Sequence, residues 1–242
     1  MLRSIRVVPP ALIAIALAAC SSSSSGPSVG FECIGQALPT TAPATIAVTG
    51  QINSNALSPS PQPGAVVSAF RTGDTTTLAT ATSNTPGFYT LQVLTGGAPV
   101  DGYLRVTHSG HIDTYGYPSR PLAADAVDNV LLITSSELGA LGTIVGVPQT
   151  AGNGFMAVIV QDCSGTPLAG ATVTTTPAGT VRYDAGSGPS ATATSTSTDG
   201  VAYVFNVTPG NVTVHATASG HTLRQHVVNA RADAVVLTQI QP

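Results

Sequence analysis

The run ATATSNTPGFYTLQV, residues 79–93, recurs in outline as ATATSTSTDGVAYVFNV, residues 191–207. Each copy opens Ala-Thr-Ala-Thr-Ser, passes a turn that ends in Gly87 or Gly200, and enters an apolar segment carrying aromatic residues. Two further markers keep the same order. Upstream, Gly64-Ala65 of the segment Pro63 to Val67 matches Gly170-Ala171 of the segment Pro167 to Val173. Downstream, Ser109-Gly110-His111 matches Ser219-Gly220-His221. The three markers are displaced by 112, 106 and 110 residues, nearly one spacing, which argues for duplication of a whole domain. A chain of 242 residues accommodates two such units, each able to bury a modest core.

The units read as β-structure. Val201, Tyr203, Phe205 and Val207 alternate with Ala202, Val204 and Asn206, which predicts one strongly apolar face made of the larger side chains. Val212, Val214, Ala216 and Ala218 alternate with Asn211, Thr213, His215 and Thr217, and Thr208-Pro209-Gly210 supplies the turn between the two strands. Short strands with Gly, Pro and Asp turns predict an all-β chain of two tandem antiparallel β-sandwiches, residues 44–133 and 155–242. Charged residues make up only 8% of the chain, and lysine is absent. That absence excludes a phosphate loop of the GxxxxGK type and any lysine nucleophile. Scattered arginines at a net charge of -3 leave no basic footprint, so no nucleic acid is expected as a partner.

Residues 1–19 read as a signal peptide. Arg3 and Arg6 precede an apolar run, Val7 to Ala19, too short to span a membrane. The run closes in Leu17-Ala18-Ala19-Cys20, which resembles the bacterial lipobox. That resemblance implies cleavage before Cys20, lipidation of Cys20, and membrane attachment through the acyl chains. A serine after the cysteine is associated with outer-membrane sorting. Residues 20–43 then form the lipid-bearing cysteine and a Ser-rich tether. Cys33 and Cys163 remain as an even pair in an oxidising compartment, and a disulfide between them is expected, against the alternative of two unrelated thiols. Such a bond would staple the N-terminal segment onto the second sandwich.

The second unit carries a more specific pattern: VIVQDCSGTPLAGATV, residues 158–173, followed by TSTDGVAYVFNVTPGNVTVHATASGH, residues 196–221. Asp162, Gly165, Pro167-Leu168, Gly170-Ala171, Asp199-Gly200, Pro209-Gly210 and Gly220 make it similar to the carboxypeptidase regulatory-like domains. That resemblance implies a transthyretin-like (prealbumin-like) sandwich and, because such domains accompany enzymes as accessory modules, no peptidase activity. In the family's Gly-Tyr turn, His111 and His221 hold the position of the aromatic ring. Only this histidine repeats: Arg105 aligns with His215, and His108 with Ala218. A metal site is therefore not expected, and no cofactor is implied.

Between the units, residues 134–154 read as a short helix and linker. Thr134 or Ser135 can cap it, Glu137 suits its first turn, and Leu138, Leu141 and Val145 share a face, while Gly139, Gly142 and Gly146 weaken it. An extra edge strand is the alternative. No Gly-x-Ser-x-Gly or His-Glu-x-x-His motif is present, and no catalytic residue is assigned. The expected function is a non-catalytic lipoprotein acting as a binding or structural module for protein or carbohydrate partners. The alternative is a small hydrolase or metal-dependent enzyme using the loop His108 to Asp128, where Asp113, Asp125 and Asp128 lie near Tyr115 and Tyr117 in sequence.

Overall fold

The computed structural model describes residues 28–55, 58–186 and 188–242. The signal-peptide reading, Cys20 and the serine run after it lie outside the described residues.

The first unit contains β1 (Thr45–Ser54), β2 (Ser60–Pro61), β3 (Val66–Arg71), β4 (Thr77–Thr82), β5 (Phe88–Leu94), β6 (Gly102–Thr107), β7 (Thr114–Tyr117), β8 (Ala126–Val127) and β9 (Val130–Leu132). After α1 (Ser135–Val145), the second contains β10 (Gly154–Val160), β11 (Thr172–Thr176), β12 (Thr180–Asp184), β13 (Pro189–Ser190), β14 (Val201–Val207), β15 (Gly210–Ala218), β16 (His221–Thr222), β17 (His226–Ala230) and β18 (Val235–Ile240). The chain is all-β apart from this helix. Most pairings are antiparallel, but β1 pairs in parallel with β8 and β9, and β10 pairs in parallel with β18.

The duplication is written in the hydrogen bonds. The Ser83 hydroxyl accepts from the Ala65 amide (2.9 Å) and donates to the Gln62 carbonyl (2.7 Å), while the Ser83 amide donates to the Ala65 carbonyl. In the second unit the Thr196 hydroxyl accepts from the Ala171 amide (2.9 Å) and donates to the Leu168 carbonyl (2.6 Å), and its amide donates to the Ala171 carbonyl. Gly87 and Gly200 close the same turn, at φ +88° and +71°. A Cβ on either would lie 2.7 Å from the Ile52 carbonyl oxygen or 2.5 Å from that of Val160, so only glycine fits. These contacts equate Ser83 with Thr196, not with Ser195 as the matching Ala-Thr-Ala-Thr-Ser letters suggest. The first of those runs lies mostly on β4, and the second forms no strand.

The two sandwiches are joined by one sheet. Its nine strands run β13-β12-β14-β10-β18-β7-β6-β3-β4, and the boundary is crossed by the parallel pairing of β18 with β7, Val235 to Thr238 against Thr114 to Tyr117. Val236, opposite Tyr115, belongs to the second sandwich's core, whereas Leu104, opposite Gly116 and hence in line with Leu237, belongs to the first. Successive residues of a strand face opposite ways. The sheet of β1, β5, β8 and β9 therefore covers one face of the long sheet, and the sheet of β11, β15, β16 and β17 covers the other.

This arrangement corrects the reading of β14. Ala202 and Val204, the smaller residues, face the interior of the second sandwich and are fully buried, while Val201 and Tyr203 occupy the opposite face and are half-buried. At Asn206 the backbone turns left-handed (φ +57°) and the register with β10 shifts, which returns Val207 to the interior. Both faces of β14 are apolar: the inner one packs in the second sandwich, and the outer one meets α1 at Phe205 and borders the junction with the first sandwich at Val201 and Tyr203.

The helix forms as its caps dictate. Thr134 is the N-cap, its hydroxyl accepting from the Glu137 amide while the Glu137 carboxylate accepts from the Thr134 amide, and Gly146 ends the helix at φ +69°. Leu138 and Val145 bury against Phe155, Phe205 and Val235 on the outer face of the second sandwich.

Candidate functional site

The loop from His108 to Asp128 does not assemble into one site. Asp113 pairs with Arg105 on the surface, Oδ2 to Nη2 at 2.7 Å. Asp125 accepts from the Ala47 amide at the rim of β1. Asp128 points elsewhere, as described below. The His108 ring lies 3.0 Å from the Gln62 amide nitrogen and meets His111 edge-on at a centroid distance of 5.1 Å. Among the described residues no three His, Cys, Asp or Glu side chains converge as metal ligands would.

The two repeated histidines sit in equivalent turns but have different neighbours. His221 stacks on Phe31 at 4.5 Å, and its Nε2 is 3.0 Å from the Ser28 hydroxyl. The sequence gives no hint of this Ser-His pair, since its members are 193 residues apart. His226 forms another pair, Nδ1 to the Thr238 hydroxyl at 3.0 Å, but that hydroxyl also meets the Tyr117 carbonyl at 3.2 Å. Burial holds His226 below the usual imidazole range, against the opposing pull of its bond to the Gln239 carbonyl. Neither imidazole has a carboxylate hydrogen-bonded to it in the way that orients the histidine of a hydrolytic triad.

Cys33 and Cys163 are bonded, with Cα atoms 5.7 Å apart. The N-terminal segment is thereby sewn to the second sandwich. Phe31 enters that sandwich's core, and the Cys163 amide donates to the Gly30 carbonyl. The first sandwich, α1 and the start of the second all lie inside the closed covalent loop.

The sheet sharing leaves a cavity of about 440 Å³ at the junction. Val48, Val93 and Leu104 wall it from the first sandwich, and Ala157, Ile159 and Leu237 wall it from the uncovered outer face of the second. Helix α1 covers that outer face around Phe155; farther along β10 the cavity replaces it. Ser119 and Arg120, at its side, both donate to the Gln241 side-chain oxygen, at 2.7 and 2.8 Å, and so clamp the first sandwich to the C-terminus.

One carboxyl group enters this apolar space. Asp128 lies between β8 and β9, where its amide donates to the Thr49 carbonyl and its carbonyl accepts from the Tyr89 hydroxyl at 2.7 Å. Gly50 leaves room for that carbonyl, which would lie 1.9 Å from a Cβ there. With the backbone so held, the carboxyl lines the cavity and has no hydrogen-bond donor among the described residues. Gly116 clears space beside it, since a Cβ would stand 3.1 Å from Oδ2. Burial pushes the Asp128 carboxyl up to about 6. In sequence Asp128 looks like an ordinary turn residue. The available signal for the cavity was different: β10 and β14 are apolar on both faces, unlike β1, whose outward positions carry Thr45, Thr49, Gln51 and Asn53.

No known family's sequence pattern matches the chain, and no curated protein matches it by sequence. Among solved structures it is similar to the Bacillus anthracis TIE protein at 10% identity and a TM-score of 0.27, over 81% of this chain and 35% of that one. Similar too are the shaft pilin spaA from Lactobacillus rhamnosus GG, at 12% identity and TM-score 0.26 over 82% and 98% of the chains, and GBS52, the minor pilin of Streptococcus agalactiae, at 12% and 0.25 over 81% and 95%. The chain spans about a third of the length of the first. At such scores the structures do not superpose as wholes.

Proposed function

We propose that this chain is a non-catalytic binding and structural module, fixed to a bacterial outer membrane through lipid on Cys20. The observation that carries the structural half is the Cys33–Cys163 bond together with the shared sheet. A tether that begins at Cys20 reaches the second sandwich directly through Cys33, and the long sheet carries the first sandwich as a rigid extension. The resemblance of residues 17–20 to a lipobox supports the anchor. The separation of Asp113, Asp125 and Asp128 onto different partners, with Asp113 held by Arg105, counts against the enzyme reading of that loop.

Protein partners have an edge to use. Among the described strands β5 pairs only with β1, while its counterpart β14 carries β12 on its other side, because β4 has moved to β3. The seven residues of β5 are hydrogen-bonded on one side only, with β4 close by on the other, and with Phe88 and Leu94 exposed at the ends they suit addition of a partner strand once β4 gives way.

Two measurements test this. Palmitate labelling of the wild type and of Cys20→Ser should show label and membrane partition only in the wild type; a labelled variant ends the lipid-anchor reading. A photo-crosslinking residue at Thr90 or Gln92, on intact cells, should give discrete protein adducts that the same residue at Asn229 does not. Adducts equally frequent at both positions would overturn docking at the β5 edge.

A further inference from the structure

We infer that the cavity between the two sandwiches is a binding site for a small aliphatic amine, with the apolar walls taking its chain and the Asp128 carboxylate taking its ammonium group. This site is separate from the β5 edge and stands whether or not that edge binds a partner.

Three observations carry it. The cavity has the size of a small-molecule site, about 440 Å³, and is walled by aliphatic residues from both sandwiches. Its apolar lining includes Ala157, Ile159 and Leu237, which lie on the outer face of a sandwich, where polar residues are usual. Ala157 and Leu237 also pack against the cluster at α1, and Leu237 against the first core as well, but Ile159, farther along β10, packs in none of the cores and borders the cavity alone.

Asp128 sets the polarity of the ligand, because the other charged group on the lining, the exposed Arg120, is directed to the Gln241 side-chain oxygen at the cavity's side. Asp128 is half-buried, so its carboxylate keeps an opening to solvent, but among apolar walls and with no donor from the protein its desolvation is only partly compensated. A ligand that brings a positive charge and N–H donors supplies both the charge and the hydrogen bonds, and charge-assisted bonds are about twice as strong as neutral ones. An anionic head group would instead place like charges together. The backbone of Asp128 is fixed by Thr49 and Tyr89, so the carboxyl is held in place before any ligand arrives. The upward shift of the carboxyl to about 6 fits the same picture, because a bound ammonium would restore the ionised form.

The test uses octylammonium and octanoate, equal in chain length and opposite in charge, titrated calorimetrically at pH 7.5 into the full chain carrying Cys20→Ser, disulfide intact. Saturable 1:1 binding of octylammonium is expected, about tenfold or more tighter than octanoate. Asp128→Asn should fold normally, since the carboxyl has no protein partner to lose, and should abolish the preference for the amine. Ala157→Phe, which fills the cavity from the other wall and leaves Asp128 intact, should weaken octylammonium binding about tenfold or more. Equal affinity for the two amphiphiles, or an amine affinity unchanged in Asp128→Asn, overturns the proposal. So does the absence of saturable binding to the wild type.

Discussion

The Arg231 guanidinium carbon lies 3.8 Å from the centre of the Tyr115 ring, so a loop residue of the second sandwich rests on a strand of the first. The same group is 4.9 Å from the centre of Tyr103 and donates to the Tyr117 hydroxyl at 3.1 Å. It therefore lies over the strands that continue the sheet beyond the β18–β7 seam. A planar cation can stack and donate in its own plane at once, which an ammonium cannot.

Arg231→Ala is expected to destabilise the chain by about 1–2 kcal/mol, with Arg231→Lys recovering only part of the loss. Denaturant unfolding measures the size. Amide exchange locates it: protection should fall at Thr114 to Tyr117 and Val235 to Thr238 before the distant β11–β15 pairing changes. Uniform loss of protection would show that the contact has no special role at the seam.

The repeated latch gives a matched pair of variants. Ser83→Ala and Thr196→Val each remove the acceptor from a buried amide, that of Ala65 or Ala171, and each should cost about 1–3 kcal/mol. The latches belong to different sandwiches, so the double variant should show nearly additive losses. A large cost at one site and none at the other would mean that the two turns, though alike in geometry, do not bear equal weight.

The features legible in the sequence were local ones. The Thr134–Glu137 box, the Gly87 and Gly200 turns and the β15 alternation each sit within a few residues and follow from backbone chemistry. The Cys33–Cys163 bond was reachable because only two cysteines remain once Cys20 is set aside. The shared sheet was not legible, because Thr114 and Val235 are distant in sequence and an exposed strand edge leaves no mark on either. The β14 assignment failed for the same reason: side-chain size does not tell which of two apolar faces looks inward when a neighbouring domain covers the other. Asp128 was indistinguishable from Asp125 in sequence; the Ala47 amide holds the one carboxylate at the surface, and the close approach of the chain at Gly50 holds the backbone of the other.

Helix α1 separates two glycines that sequence treats alike. Gly139 has open space where a Cβ would go, so Gly139→Ala should stabilise by about 0.5–1 kcal/mol. At Gly142 a Cβ would lie 2.7 Å from the Val147 carbonyl oxygen, so Gly142→Ala should destabilise despite the same gain in helix propensity. Opposite signs in thermal unfolding are the expected outcome; two stabilised variants would show that the Val147 turn relaxes freely.

Removing the staple should matter more than any of these. The Cys33–Cys163 bond closes a separation of 130 residues, for which the chain-entropy account gives on the order of 4–5 kcal/mol. Replacing both cysteines by alanine should lower stability by up to that amount and also expose Phe31, whose burial depends on the segment staying in place. Proteolysis near residues 28–36 should then precede cleavage elsewhere. If stability hardly changes while cleavage there accelerates, the bond serves attachment of the tether and not the body of the fold.

Asp128 provides the pH test. Its folded-state value, about 6, lies above the ordinary 3.8, so burial favours the protonated form. For a group shifted upward, the associated stability is fully present below the unfolded value and is lost as pH rises through the folded one. Between pH 4 and pH 7 the wild type should thus lose on the order of 2–3 kcal/mol through this one carboxyl. Asp128→Asn cannot ionise and should escape the loss. The informative quantity is the difference in unfolding free energy between variant and wild type, because other titrating groups, His226 among them, cancel from it. That difference should be small at pH 4, grow in favour of asparagine from there through about pH 6, and level off near pH 7. A difference independent of pH would mean that the carboxylate is solvated where it stands, and that the space beside Gly116 and Leu237 is wet when no ligand fills it.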